Sequence, residues 1–116
     1  MDKPSSNSPE IVEEAYIILL QLGGRRFLAM TGADQLLAAG RTPTNPWLRM
    51  NLRRNEAGVN RLKVTLMPTD TYTVEFYHQQ LVDCEAVITR KQTFDLVYGE
   101  DLTGLFTSVT GYATHL

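Results

Sequence analysis

Three short runs, 47–53, 61–66 and 72–77, alternate apolar with polar residues at a period of two. That period belongs to strands buried on one face only. The segments between them, 55–60 and 67–71, are rich in turn formers, so an antiparallel meander is expected. Keeping the apolar residues together pairs Leu52 with Leu62, Met50 with Val64 and Leu48 with Leu66 across the first hairpin. Across the second, Leu66 meets Tyr72, Val64 meets Val74 and Leu62 meets Phe76. The opposite face then sets Arg53 against Arg61, Asn51 against Lys63, Lys63 against Glu75, Thr65 against Thr73 and Arg61 against Tyr77. On that face an ion pair between Lys63 and Glu75 and a cation–π contact of Arg61 with Tyr77 are expected.

The flanks predict helices. Ser8 and Pro9 mark a helix start, Ile11, Ala15, Ile18 and Leu22 recur at helical spacing, and Gly23-Gly24 supplies a stop, giving a helix over 8–22. A strand is expected at 26–31, a turn at 32–34 and a weaker strand at 36–39. Two prolines make 40–46 a loop leading to Trp47, which is expected partly buried at a sheet edge. Residues 79–85 read as a polar connection holding Cys84, with strands at 86–90 and 93–98 beyond it. Leu102, Leu105, Phe106 and Val109 form a second helical stripe between Glu100-Asp101 and Gly111, weakened by about 1 kcal/mol at Gly104. The fold class that follows is α+β: a two-layer domain, with an antiparallel meander sheet of four to six strands and the N- and C-terminal helices on one face. The other sheet face stays open. Residues 1–7 are expected to be a disordered tail and 8–116 a single domain.

Composition narrows the chemistry. A chain of 116 residues suffices for one core. Its single cysteine forms no intrachain disulfide and suggests a reducing compartment. The polar start lacks the apolar core of a signal peptide, and the apolar run at 15–20 is far short of the ~20 residues of a membrane span. A cytoplasmic protein with no membrane partner is therefore expected. The net charge of −2 is uneven: eight basic and two acidic residues lie within 25–63, three and eleven outside it. Such asymmetry marks either an anion-binding face or ordinary solvated charge.

His78 and His115 lack metal-ligand spacing to each other or to Cys84. No phosphate-loop or nucleophile-elbow motif occurs. The carboxylates Asp70, Glu75, Asp83, Glu85 and Asp95 fall at turns or on a solvated face, and Cys84 stands between two acids that work against a reactive thiolate. No cofactor, metal or catalytic residue is expected.

Residues 20–33, reading Leu-Gln-Leu-Gly-Gly-Arg-Arg-Phe-Leu-Ala-Met-Thr-Gly-Ala, resemble the opening of a group of small phage, prophage and conjugative-element proteins. The shared pattern is a helix, Leu-Gly-Gly, an apolar strand, then Met-Thr-Gly-Ala. The segments 62–66, 70–76, 105–107 and 110–111 resemble the same group, whereas the loop at 40–46 is longer than its pattern. The resemblance implies a mobile-element context and no catalytic residues. It is consistent with a non-enzymatic binder of a host or phage protein, such as an inhibitor of a host defence system. Trp47, Arg49, Arg53, Arg61, Lys63 and Tyr77 are the expected partner-binding residues, of types enriched where binding energy concentrates. The alternative is a nucleic-acid binder, with Arg49, Arg53, Arg61 and Lys63 on phosphates and Tyr77 stacking on a base. Exposed strand edges leave a homo-oligomer open, and the sequence does not decide the oligomeric state.

Overall fold

The computed structural model describes residues 9–39 and 45–112, with the backbone alone at 9–14 and 39. The tail at 1–7, the Ser8 cap, residues 40–44 of the loop and His115 lie outside the described residues. Helix α1 spans Pro9–Leu22, and Ala15, Ile18 and Leu22 are buried along one side of it. The chain turns at Gly23, whose N–H donates to the Leu20 carbonyl at 3.0 Å.

Where a strand was expected at 26–31, a second helix, α2, occupies Gly24–Thr31. Its buried positions are Gly24, Phe27 and Thr31. They stand three and four residues apart, a helical spacing that simple alternation hides. The Thr31 hydroxyl donates back to the Phe27 carbonyl at 2.7 Å. Gly32 ends the helix at φ 71°, its N–H bonding the Leu28 carbonyl, in a left-handed conformation that a side chain disfavours.

Five strands form one antiparallel meander in the order β1-β2-β3-β4-β5. They are β1 Asp34–Ala39, β2 Trp47–Asn51, β3 Arg61–Leu66, β4 Tyr72–Val82 and β5 Glu85–Val97, followed by a 3-10 turn and helix α3, Leu102–Thr110. The architecture is α+β, with helices from both ends of the chain on one side of the sheet. β3 and β4 pair in the derived register, Leu62 against Phe76 and Arg61 against Tyr77.

β2 is slid by two residues from the expected register. Met50 faces Leu62 and Leu48 faces Val64, while Arg49 faces Lys63 and Asn51 faces Arg61 on the other side. A slip of two keeps each side chain on its own face and changes only its neighbours. The cause lies in the loop at 52–60. The Asn55 amide donates to the carbonyls of Arg53 and Val59 at 2.8 and 2.7 Å and accepts from the Val59 N–H at 3.2 Å. Val59 is buried, so these residues form a folded loop instead of prolonging the hairpin, and Arg53 leaves the sheet.

The polar connection expected at 79–85 is a continuation of the sheet. β4 runs to Val82, and a two-residue turn, Asp83-Cys84, returns the chain with φ of 53° and 66°. Two left-handed central residues are the mark of a type I′ hairpin turn, usually made by Asn-Gly or Asp-Gly. The two strands expected at 86–90 and 93–98 are one strand, interrupted at Arg90 and Leu96, whose φ values are 54° and 59°. The register shifts by one residue at each interruption, so each is a bulge that bends the edge. Beyond β3 the β4–β5 hairpin runs on as a two-stranded arm, leaving Leu81 75% exposed.

The core lies between sheet and helices. Leu48, Met50, Leu62, Val64, Val74 and Phe76 supply the sheet side, Ile18, Leu22, Phe27, Leu102 and Phe106 the helical side. Phe106 packs edge-on to Phe27 at 4.9 Å between ring centres and lies 6.2 Å from Phe76. This aromatic line ties α3, α2 and β4 together.

Candidate functional site

Residues that alternate with the core positions point to the opposite face: Trp47 and Arg49 on β2, Arg61 and Lys63 on β3, Glu75 and Tyr77 on β4. Among the described residues no helix covers this face. Its geometry centres on Trp47. The Lys63 ammonium lies 4.8 Å from the centre of the indole ring, and the Arg49 guanidinium carbon 5.8 Å from it. Trp47 sits opposite Thr65, which makes Lys63 its diagonal neighbour, within reach of a long side chain. β1 pairs outside β2, so Trp47 belongs to an inner strand and not to the sheet edge.

Lys63 is available to Trp47 because Glu75 turns elsewhere. Glu75 faces Lys63 across the ladder, yet its carboxylate pairs with Lys91 of β5 at 3.2 Å. The expected Lys63–Glu75 ion pair is therefore absent among the described residues. Each cation–π contact at such a half-exposed place contributes about 0.5–1 kcal/mol. The direct opposition of Arg49 and Lys63 costs a few tenths of a kcal/mol in return. The two contacts together outweigh that cost by roughly 1 kcal/mol, a gain small beside that of the core, so the cluster supports the fold without being required by it.

Beside Trp47 the face dips into a pocket of about 190 Å³ lined by Gln35, Leu36, Leu37, Arg49, Asn51, Arg61 and Gln79. Gln79 is held there by Asn60, which ends the loop before β3. The Asn60 amide donates to the Gln79 carbonyl at 3.0 Å and accepts from the Gln79 N–H at 2.8 Å. This side chain replaces one rung of the ladder where β3 has not yet begun. Arg61 donates to the Asn60 carbonyl at 3.1 Å, spending one of the five N–H groups of its guanidinium.

Of the six expected binding residues, the structure brings together Trp47, Arg49, Arg61 and Lys63. Tyr77 belongs to the same face by register but is only 6% exposed, which removes it as a stacking anchor. Its register places it between Arg61 and the bulged part of β5. The expected cation–π contact of Arg61 with Tyr77 is not formed; the ring that takes cations is Trp47. Arg53 is exposed on the loop at 52–60 and leans over Gly32, where a β-carbon would collide with it. Sequence reasoning missed Gln35, Asn51, Gln79 and Lys91. They come one each from four different strands, and no local spacing marks them.

Among the described residues no group of three or more His, Cys, Asp or Glu side chains converges, and no helix is long and apolar enough to cross a membrane. No family model, curated protein or solved structure matches the chain.

Proposed function

We propose that this chain is a non-enzymatic interaction domain from a phage or other mobile element, and that its open sheet face binds an acidic surface of a host or phage protein. The observation that carries the reading is the cluster of Trp47, Lys63 and Arg49 on a face that no described helix covers. Tryptophan and arginine concentrate binding energy at protein interfaces, because large flat groups bury much area at little entropic cost. The resemblance of residues 20–33 to mobile-element proteins supports the genomic context, although the segment it assigns to a strand is helical here. A host defence protein is the partner class this context favours, with the domain acting as its inhibitor in the cytoplasm. Affinity capture from host lysate, repeated with phage-infected lysate, tests the reading. A specific partner retained by the wild type and lost with Trp47→Ala supports it, and capture that Trp47→Ala does not change overturns it.

One observation favours nucleic acid instead: Arg49, Arg61 and Lys63 share a face without a carboxylate bonded to any of them among the described residues. Against it stand a mildly acidic isoelectric point and the burial of Tyr77, the aromatic that would stack on a base. Gel shifts over a salt series decide. Binding that falls steeply with salt and disappears in an Arg49/Arg61/Lys63 alanine variant supports nucleic acid, and no shift at low salt excludes it.

A further inference from the structure

We infer that the pocket between β1, β2, β3 and β4 is a carboxylate receptor, which takes an aspartate or glutamate side chain of the partner between Arg49 and Arg61. The inference rests on the protein-interaction reading and names the chemistry that the partner must present.

The pocket lining holds two arginines, three residues with amide side chains, Gln35, Asn51 and Gln79, and no acid. Asn51 faces Arg61 and Arg49 faces Lys63 in the register, so the two arginines are diagonal neighbours on one face. Cβ atoms so related stand somewhat less than ~7–8 Å apart, close enough for two long side chains to converge on one small group. Neither arginine is ion-paired among the described residues. Two acids are near by register: Asp34, which faces Asn51 across β1 and β2 and is exposed, and Glu75, diagonal to Arg61 on β4, whose carboxylate is bonded to Lys91; neither lines the pocket.

Guanidinium donors form a rigid planar fork that matches the two oxygens of a carboxylate, and the pair gains strength where water is partly excluded. Leu36, partly buried, and Leu37, half exposed, add apolar lining. The amides of Asn51 and Gln79 add neutral donors, and the Asn60 link fixes the backbone that carries Gln79. A volume of about 190 Å³ admits a carboxylate and its methylene stem.

The test is a titration of the full chain at constant ionic strength with acetyl-glutamate-amide, read from the side-chain NMR signals of arginine Nε–H and of the Gln79 amide. Acetyl-glutamine-amide and inorganic phosphate serve as comparators. The expected result is one saturating curve for Arg49, Arg61 and Gln79 with the capped glutamate, no response to the capped glutamine, and no matching change at Arg25 or Arg54. Arg61→Gln should weaken binding at least tenfold, and Arg61→Lys should lose most of it although the charge is kept. Both variants are checked by the unchanged backbone signals of the core. Equal, unsaturating shifts at all arginines, or wild-type affinity in Arg61→Gln, would overturn the inference. So would saturation by phosphate alone, which would assign the pocket to a phosphate group. Because the titration needs no partner, its failure is separate from a failure of the capture experiment.

Discussion

Replacing Asn60 should loosen both the sheet and the pocket, and the size of the effect follows from two bonds. The Asn60 amide donates to the Gln79 carbonyl at 3.0 Å and accepts from the Gln79 N–H at 2.8 Å. The Asn60 backbone N–H bonds the Tyr77 carbonyl at 2.9 Å and survives a side-chain change. Each partly buried hydrogen bond contributes about 0.5–1.5 kcal/mol net, so Asn60→Ala should cost about 1–3 kcal/mol. Asn60→Asp keeps the acceptor for the Gln79 N–H and loses the donor to its carbonyl, so it should cost less than the alanine variant. Urea denaturation measures the stability, and amide exchange at Gln79 locates it. Gln79 should lose at least tenfold protection in Asn60→Ala and keep most of it in Asn60→Asp. A cost under about 0.5 kcal/mol with unchanged Gln79 exchange would show that this side-chain rung does not hold β4.

Phe106→Ala should cost about 3–5 kcal/mol, because the ring sits between Phe27 and Phe76, and a urea midpoint that barely moves would mean that α3 does not seal the sheet. Cys84→Gly should stabilise the protein by about 0.5–1 kcal/mol, since glycine relieves the left-handed conformation at φ 66° at some entropic cost. Thermal unfolding checks this, with Cys84→Ala as the near-neutral control. Lys91→Ala should change stability by less than about 1 kcal/mol, as befits an exposed pair. It should also release Glu75 toward Lys63 and shift the Trp47 fluorescence; an unchanged spectrum would deny that Lys91 controls which partner Lys63 takes.

The β3–β4 hairpin was fully legible in the sequence, because both strands carry unbroken alternation and a short turn joins them. The β2–β3 register was not. Leu52 continues the alternating pattern, but its N–H bonds the Asn60 carbonyl at 3.0 Å instead of Leu52 pairing with Leu62, and Asn55 and the buried Val59 then fold the loop back and withdraw Arg53 from the ladder. The helix at 24–31 was misread because eight residues give barely two turns, so a helical stripe of Gly24, Phe27 and Thr31 competes with apparent alternation. Bulges at Arg90 and Leu96 broke the pattern of β5 into two pieces, and Asp83-Cys84 lacks the glycine that usually announces a two-residue turn. At the candidate site the cations were visible as a charge cluster. Which of them share a surface depends on the loop and on the strand partners. The loop at 52–60 took Arg53 off the face, and burial removed Tyr77 although its register was as derived. Asn51 exchanged Lys63 for Arg61 as its partner, and Gln35 and Gln79 entered from β1 and the extended β4.

The chain has one tryptophan, so 5-fluorotryptophan labelling gives a single fluorine resonance that reports the middle of the open face. In the free protein that resonance should respond to exchange of water for heavy water, as a half-exposed ring does. On addition of the captured partner it should shift and lose the solvent response. A complex that forms while the resonance and its solvent response stay unchanged would place the interface elsewhere and contradict the account.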